Sequence, residues 1–520
     1  LLADSYRLME LRRTNRAVDL VKSESHLAPF AFPIAMLSIK MSPIPTQEQL
    51  SEAVRVRDGK FPEIFHVLAE NRISQDSDQT WITTAKILLR RDELERCKGI
   101  LKAFRESNPE NITATLLLSN ACQRLGSEHD LDESVMLARN AVSCAVSPED
   151  TLRASLQLAV SLGSRARLRT RQQVERQHDR DEAIQLLSSL DLVASASGGS
   201  STTATTATSN SSSSSNVAQG LYTLALLQAE QGGSHAAKAK ATAVSAWQAA
   251  QAAKDPQLTA LNLVLLSTIL SAGQGHKAAL SCLSQAPTST AATAEAPRGS
   301  AEQALWSDVL VCRLRSRLQA ALSDAGSALT ELVLAKKLLA GWLERGPLPA
   351  GVSRGMAEEE LAKVWGELAV AIAQADSAQK AEALAAIDHA LALRPWTAAI
   401  RHAVGSVHEA LGQYEEAAAA YDDALALDPT HAPTLLRKGA LHVRHGSRPD
   451  LAVARDLLAE ALRYEPRAAA GWYELGRVAS ALEHRAEAEE HMLMAVRLAS
   501  EAPALDFSEL PLAPPGISDA

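Results

Sequence analysis

The residues with the strongest claim to chemistry in this sequence are few, and their spacing withholds it. His408 and Glu409 open a His-Glu-x-x-His pattern, in which two imidazoles one helical turn apart would ligate zinc while the glutamate activates water. The position where the second imidazole is needed holds Gly412 instead. His442 and His445 share a helix face, but two histidines without a third ligand read as surface residues. The consecutive carboxylates Glu358, Glu359 and Glu360 read as a solvated helix face, not as an acid and base paired in a cleft. No Gly-x-Gly-x-x-Gly or Walker-type loop is present, and Gly198-Gly199 lies in a serine and threonine run rather than between a strand and a helix. Cys97, Cys122, Cys144, Cys282 and Cys312 are odd in number and widely spaced, with no Cys-x-x-Cys pair, as expected of reduced thiols packed among the helices of a cytosolic protein. The expectation is a protein without catalytic residues, cofactor or metal.

What repeats is packing. With Ala398 as position one of a unit, Gly405 falls at position eight, Ala417 at twenty, Tyr421 at twenty-four, Ala424 at twenty-seven and Pro429 at thirty-two. Two antiparallel helices approach closely only where side chains are small, which places glycine or alanine at eight, twenty and twenty-seven. The aromatic at twenty-four fills the space between units, and the proline ends the second helix because it has no N–H to continue it. The frame recurs from Ala432, with Gly439, Ala454, Leu458, Ala461 and Pro466, once three extra residues at Ser447 to Pro449 are placed in the inter-helix turn. A third unit carries Trp472, Gly476, Ala488, Met492 and Ala495; upstream, Ala383, Ala390 and Pro395 close a fourth. Pro395 and Pro429 stand one 34-residue period apart, the length of a tetratricopeptide repeat. The fold expected is all-α: a tetratricopeptide-repeat superhelical solenoid of antiparallel helix pairs, interrupted by low-complexity loops.

Composition agrees. Of 520 residues, 46% are hydrophobic but only 4% aromatic, which suits closely packed alanine- and leucine-rich helices better than sheets. The net charge of −9 argues against a nucleic-acid binder, which would carry a basic stripe. The most apolar stretch, Leu258 to Ala272, is interrupted by Asn262 and is short of the ~20 residues that cross a bilayer, so it reads as a buried helix and no direct transmembrane anchoring is expected. The chain opens on Leu1 rather than methionine, which reads as an incomplete N-terminus. Residues 1–80 read as a helical segment of unclear pairing, broken at Pro29, Pro33, Pro43 and Pro45. Residues 81–194 read as diverged repeats, with Asp130 or Asp132 as a helix cap, and 195–216 as a disordered serine- and threonine-rich loop. Helices are expected over 217–285, a second loop over 286–300, a long helix within 301–345, the C-terminal array over 356–502 and a tail over 503–520.

The stretch LAVARDLLAEALRYEPRAAAGWYELGRVA, the insertion before it and the terminal ASEAPALDFSEL closely resemble the plant No Pollen Germination proteins and their animal relatives, the tetratricopeptide repeat protein seven group. RLRTRQQVERQHDRDEAIQLLSSL and TLALLQAEQGGSHAAKAKATAVSAW extend the resemblance upstream, to roughly Trp81 to Leu510. The resemblance implies a plant- or algal-type scaffold for phosphatidylinositol 4-kinase alpha, working with hyccin-type and EFR-type subunits. It places the protein in the cytoplasm, peripheral to the plasma membrane through those partners. It also implies calmodulin binding, as described for the plant relatives.

Two stretches have the outline of a calmodulin target, a basic amphipathic helix with apolar anchors. One sets Leu158, Val160 and Leu162 beside Arg165, Arg167, Arg169 and Arg171; the other sets Leu310, Leu314 and Leu318 beside Arg313, Arg315 and Arg317. The stronger reading of both is a core helix whose arginines snorkel to solvent. A chaperone-type clamp for a C-terminal carboxylate is not expected, because His402, Ser406 and Glu474 stand where its lysine, asparagine and cation would be needed. The reading adopted is a non-catalytic adaptor for a lipid kinase complex. The alternatives are a calcium-responsive calmodulin-binding adaptor and a cytosolic repeat protein with an unrelated client.

Overall fold

A computed structural model of the chain describes residues 78–190, 192, 210–272, 275–286, 306–345, 348, 352–375, 379–445 and 448–513. The expectations for 1–77, for 195–209 of the first loop, for 287–300 of the second and for 301–305 at the start of the following helix lie outside these residues. The described residues form 20 α-helices and no strand, which makes the fold the expected all-α tetratricopeptide solenoid. Two compact units divide at residues 121 and 122.

In the first unit, α1 (Asp78–Arg91) and α2 (Leu94–Ser107) pair, Trp81 stacks on Phe104 with ring centroids 6.0 Å apart, and Leu88, Leu89 and Leu101 are fully buried. The division falls inside α3 (Ile112–Leu125).

The second unit continues with α4 (Glu128–Cys144), α5 (Pro148–Ala166), α6 (Gln173–Ser188), α7 (Asn210–Gln231), α8 (Ala236–Ala252), α9 (Pro256–Ser271) and α10 (His276–Leu283). It proceeds through α11 (Trp306–Ala321), α12 (Ala325–Arg345), α13 (Arg354–Ala375), α14 (Lys380–Leu393), α15 (Ala398–Ala410) and α16 (Tyr414–Leu427), and ends with α17 (Ala432–His445), α18 (Arg448–Tyr464), α19 (Ala469–Ala481) and α20 (Arg485–Glu501). From α5 onward the helices pair as consecutive hairpins. First helices of neighbouring pairs also touch, as α5 with α7, α7 with α9, α9 with α11, α13 with α15 and α17 with α19. This nearest-neighbour stacking buries a main core from α4 to α13, followed by smaller clusters along the C-terminal array.

Local chemistry sets the helix ends. Ser147 and Asp255 accept from the N–H three residues on, and each is followed by a proline at the first helical position, where a missing N–H costs nothing. Ser127, not Asp130 or Asp132, caps α4: its hydroxyl accepts from the Asp130 N–H, and the Asp130 carboxylate accepts from the hydroxyl in return. Gly412, at φ +75°, ends α15 in a Schellman turn in which Gln413 N–H reaches the His408 carbonyl. The residue that denies the zinc pattern its second histidine is thus the one that closes the helix.

Three boundaries differ from expectation. The single long helix of 301–345 is two, α11 and α12, because Ser323 takes φ 65° and Asp324 N–H closes on the Gln319 carbonyl, while the Asp324 carboxylate accepts from Ser327 N–H. Helix α7 begins at Asn210 inside the stretch read as a loop, since a helix already nucleated extends through serine at small cost. Arg448 and Pro449, placed in a turn, belong to the first turn of α18, where proline is tolerated. Helix α9 is buried along most of its length, and the Asn262 amide donates to the Leu258 carbonyl at 2.8 Å. Among the described residues no helix is long and apolar enough to cross a membrane.

Candidate functional site

The repeat positions sit at the helix contacts. A Cβ on Gly405 would run into the fully buried Tyr421 ring, one on Gly439 would lie 2.8 Å from Leu458, and one on Gly476 3.0 Å from Met492. Ala417, Ala424, Ala454, Ala461, Ala488 and Ala495 are buried on the facing helices. Pro429 and Pro466 follow the ends of α16 and α18, and the Pro466 carbonyl accepts from Trp472 Nε1 at 2.8 Å.

With that packing in place, the first helices α15, α17 and α19 share a ladder of charge. Glu409 accepts from the Tyr421 hydroxyl at 2.7 Å and lies 3.8 and 3.7 Å from Arg437 and Arg444. Arg444 continues to Glu474 at 3.2 Å, which Arg477 meets at 2.9 Å. The carboxylates are largely buried, while Arg437 and Arg444 remain nearly half exposed. Where a carboxylate clamp would need a cation, Glu474 is a buried acceptor committed to two arginines. On α15 and just before α17, His402 and His431 both meet the Thr434 hydroxyl, at 3.2 and 2.6 Å. Burial, reinforced by His431 and Arg437, lowers His402 to about 3, and burial with Arg169 lowers His431 to about 4.

The arginines singled out as calmodulin contacts are engaged within the fold. Arg165 pairs with Asp179 at 2.6 Å and with Asp132 at 2.9 Å, and Arg169 pairs with Glu465 at 2.5 Å. Arg167 pairs with Glu230 and also donates to the carbonyls of Leu510 and Phe507, at 2.9 and 3.2 Å. Arg315 donates to the Leu283 carbonyl at 3.1 Å. Arg313 is buried among Glu360, Glu367 and Glu509, at 3.3, 2.6 and 2.6 Å, and Arg317 meets Glu367 and Glu509 at 2.7 and 2.8 Å. The expected anchors Leu158, Val160, Leu162, Leu310, Leu314 and Leu318 are all core residues.

Several of these partners belong to the C-terminal segment, for which periodicity gave no role. After α20 the chain runs back onto α5, α7, α9 and α11. Leu505, Leu510 and Leu512 enter the main core, each burial being worth about 1.5–3 kcal/mol at most. A short 3₁₀ turn, Phe507–Glu509, is capped by Asp506, whose carboxylate accepts from Ser508 N–H. Cradle side chains read the segment's main chain: Ser271 accepts from Ala504 N–H, Tyr222 donates to the Pro511 carbonyl and Thr223 to the Leu512 carbonyl, at 2.8, 2.8 and 3.1 Å. The α18–α19 turn returns to the same region, with Arg176 donating to the Tyr464 carbonyl and Arg467 to that of Gln231.

Cys122, Asp130 and Glu133 bring one ligand atom each to within 4.8 Å of one another. The cysteine spacing gave no sign of this group, and its Asp130 also serves the α4 cap. Cys97, Cys122 and Cys312 are buried, Cys282 is half-buried and Cys144 is exposed; none of the five is in a disulfide among the described residues.

Among known proteins, the chain is 26% identical to Protein NPGR2 of Arabidopsis thaliana over 181 residues, 34% of this chain and 24% of that protein. It therefore spans about a quarter of the length of the curated relative it matches. Similar solved structures include the thermophilic tetratricopeptide protein TTC0263 of Thermus thermophilus, at 21% identity over 43% of this chain and 99% of that one, TM-score 0.29. Another is MamA of Desulfovibrio magneticus RS-1, at 17% identity over 38% and 97%, TM-score 0.24. The tetratricopeptide repeat family model matches residues 398–431, the unit whose frame begins at Ala398.

Proposed function

We propose that this chain is a non-catalytic scaffold that assembles or recruits a phosphatidylinositol 4-kinase complex at the cytoplasmic face of the plasma membrane, reaching the membrane through its partners. The observation that carries the scaffold reading is the arginine and glutamate ladder across α15, α17 and α19. Three successive repeats hold it in register, and its cations keep access to solvent. Repeat stacking makes such a surface rigid without closing it, which suits partner binding. The choice of client rests on the sequence resemblance and on the similarity to NPGR2. The arginine stretches favour this reading over a calmodulin target, because their leucines would have to leave the core before calmodulin could grip them.

The test is a pull-down from cell extract on the purified chain, with and without calcium, analysed by mass spectrometry. Recovery of phosphatidylinositol 4-kinase alpha with hyccin-type and EFR-type companions in both conditions is expected. Calmodulin retained alone and only with calcium would replace this reading with that of a sensor adaptor. Recovery of neither would leave a repeat scaffold with a different client.

A further inference from the structure

We infer that the cradle formed by the C-terminal end of α5 and by α7, α9 and α11 is a peptide-recognition site for a Leu-x-x-x-Glu-Leu-x-Leu segment that carries one 3₁₀ turn, with residues 505–512 as its resident occupant, and that a partner segment of the same chemistry competes for it. The inference rests on the cradle geometry alone and is independent of the lipid kinase reading.

The contacts are those of a receptor with a peptide rather than of helix against helix. Five main-chain groups of the segment are met by side chains: Ala504 N–H by Ser271, the Phe507 and Leu510 carbonyls by Arg167, the Pro511 carbonyl by Tyr222 and the Leu512 carbonyl by Thr223. Main-chain contacts fix register without reading sequence. Sequence is read by the apolar sites that take Leu505, Leu510 and Leu512, and by the arginines that donate to the Glu509 carboxylate. Glu509 meets Arg313 at 2.6 Å and Arg317 at 2.8 Å, so the segment supplies part of the counter-charge for a buried guanidinium. A ligand with a neutral residue there leaves that charge undercompensated, which is the source of selectivity. Tethered to α20 by 502 and 503, the resident segment is present at an effective concentration in the millimolar range. A partner must displace it or meet the chain when it is out.

The experiment keeps the whole chain. A specific protease site inserted after Ala502 is cleaved under native conditions, and a fluorescent peptide of residues 503–514 is added in excess. The expected result is saturable binding that displaces the nicked segment, weakened about 10-fold or more in the Glu509→Gln peptide by loss of a charged hydrogen bond, with at least about 10-fold weaker binding to the uncut chain because of the tether. No saturable binding up to about 100 µM, or equal binding of the two peptides, would overturn the inference. Should the nicked chain lose its native melting transition, hydrogen exchange on the intact chain decides. Glu509→Gln should speed exchange of the 504–512 amides while leaving α15–α20 unchanged, and unchanged exchange at 504–512 would refute the assignment.

Discussion

Arg313 donates to Glu509 at 2.6 Å across 196 positions of sequence, and the same guanidinium reaches Glu367 at the same distance. An arginine this deeply buried is tolerable only because carboxylates from α13 and the C-terminal segment converge on it, and removing one partner of such a group typically costs about 3–5 kcal/mol.

That arrangement makes Glu367 the acid-sensitive member. Burial alone would raise its pKa, but Arg313 and Arg317 outweigh burial and hold it down at about 2. A carboxylate whose folded pKa lies below its unfolded value of about 4.5 contributes stability that is fully present above that value and is lost as pH falls toward the folded one. Denaturant melts between pH 5 and about 2 should therefore show a stability loss that Glu367→Gln makes shallower, on top of a lower stability at pH 7. An unaltered slope in the variant would remove Glu367 from this role.

The two histidines act at higher pH. His402 and His431 are held neutral, at about 3 and about 4, by burial and by the positive charges of Arg437 and Arg169; Tyr421, Thr434 and Asp428 are the other groups facing them. The unfolded chain binds their protons from about pH 6.5 downward while the native one does not, so stability falls as pH drops from 6.5 toward 4. His402→Phe should flatten thermal melts in that window. An unchanged pH slope would mean that the imidazole already titrates normally.

The repeat frame makes its own prediction. Gly405→Leu and Gly439→Leu force side chains into Tyr421 and Leu458, and each should destabilise by at least the 1–3 kcal/mol typical of overpacking. Glu483→Gly should do the reverse. Glu483 ends α19 at φ 64°, a conformation strained for any residue with a Cβ, so glycine there should add about 1 kcal/mol. Denaturation midpoints of the variants check both signs.

What the sequence made legible follows the range of the interactions. The frame from Ala398 to Ala495 could be read because small residues recur wherever two adjacent helices meet, and adjacent helices are near in sequence. The break at Ser323 was hidden because a serine performs the left-handed turn that glycine performs at Gly412. The C-terminal cradle was hidden for another reason. Its partners lie hundreds of residues apart, as with Arg167 and Leu510 or Tyr222 and Pro511, and no periodicity reports such pairs. The arginine-rich stretches at 165–171 and 313–317 stood out by charge, but what they bind is acidic residues and main-chain carbonyls of the same chain.

The ladder on α15, α17 and α19 allows binding to be separated from folding. Arg437 is nearly half exposed and its contact with Glu409 is loose, at 3.8 Å, so the neutral Arg437→Gln should change stability at pH 7 by less than about 1 kcal/mol. On the scaffold reading proposed above it lies on the docking face, and removing one rim charge there mainly slows association and weakens its salt dependence. The expected outcome is an unchanged melting curve with reduced recovery of partners in the pull-down, while Arg455→Glu, on the exposed face of α18, leaves recovery intact. Equal recovery with both variants would move the binding surface away from the first helices of the array.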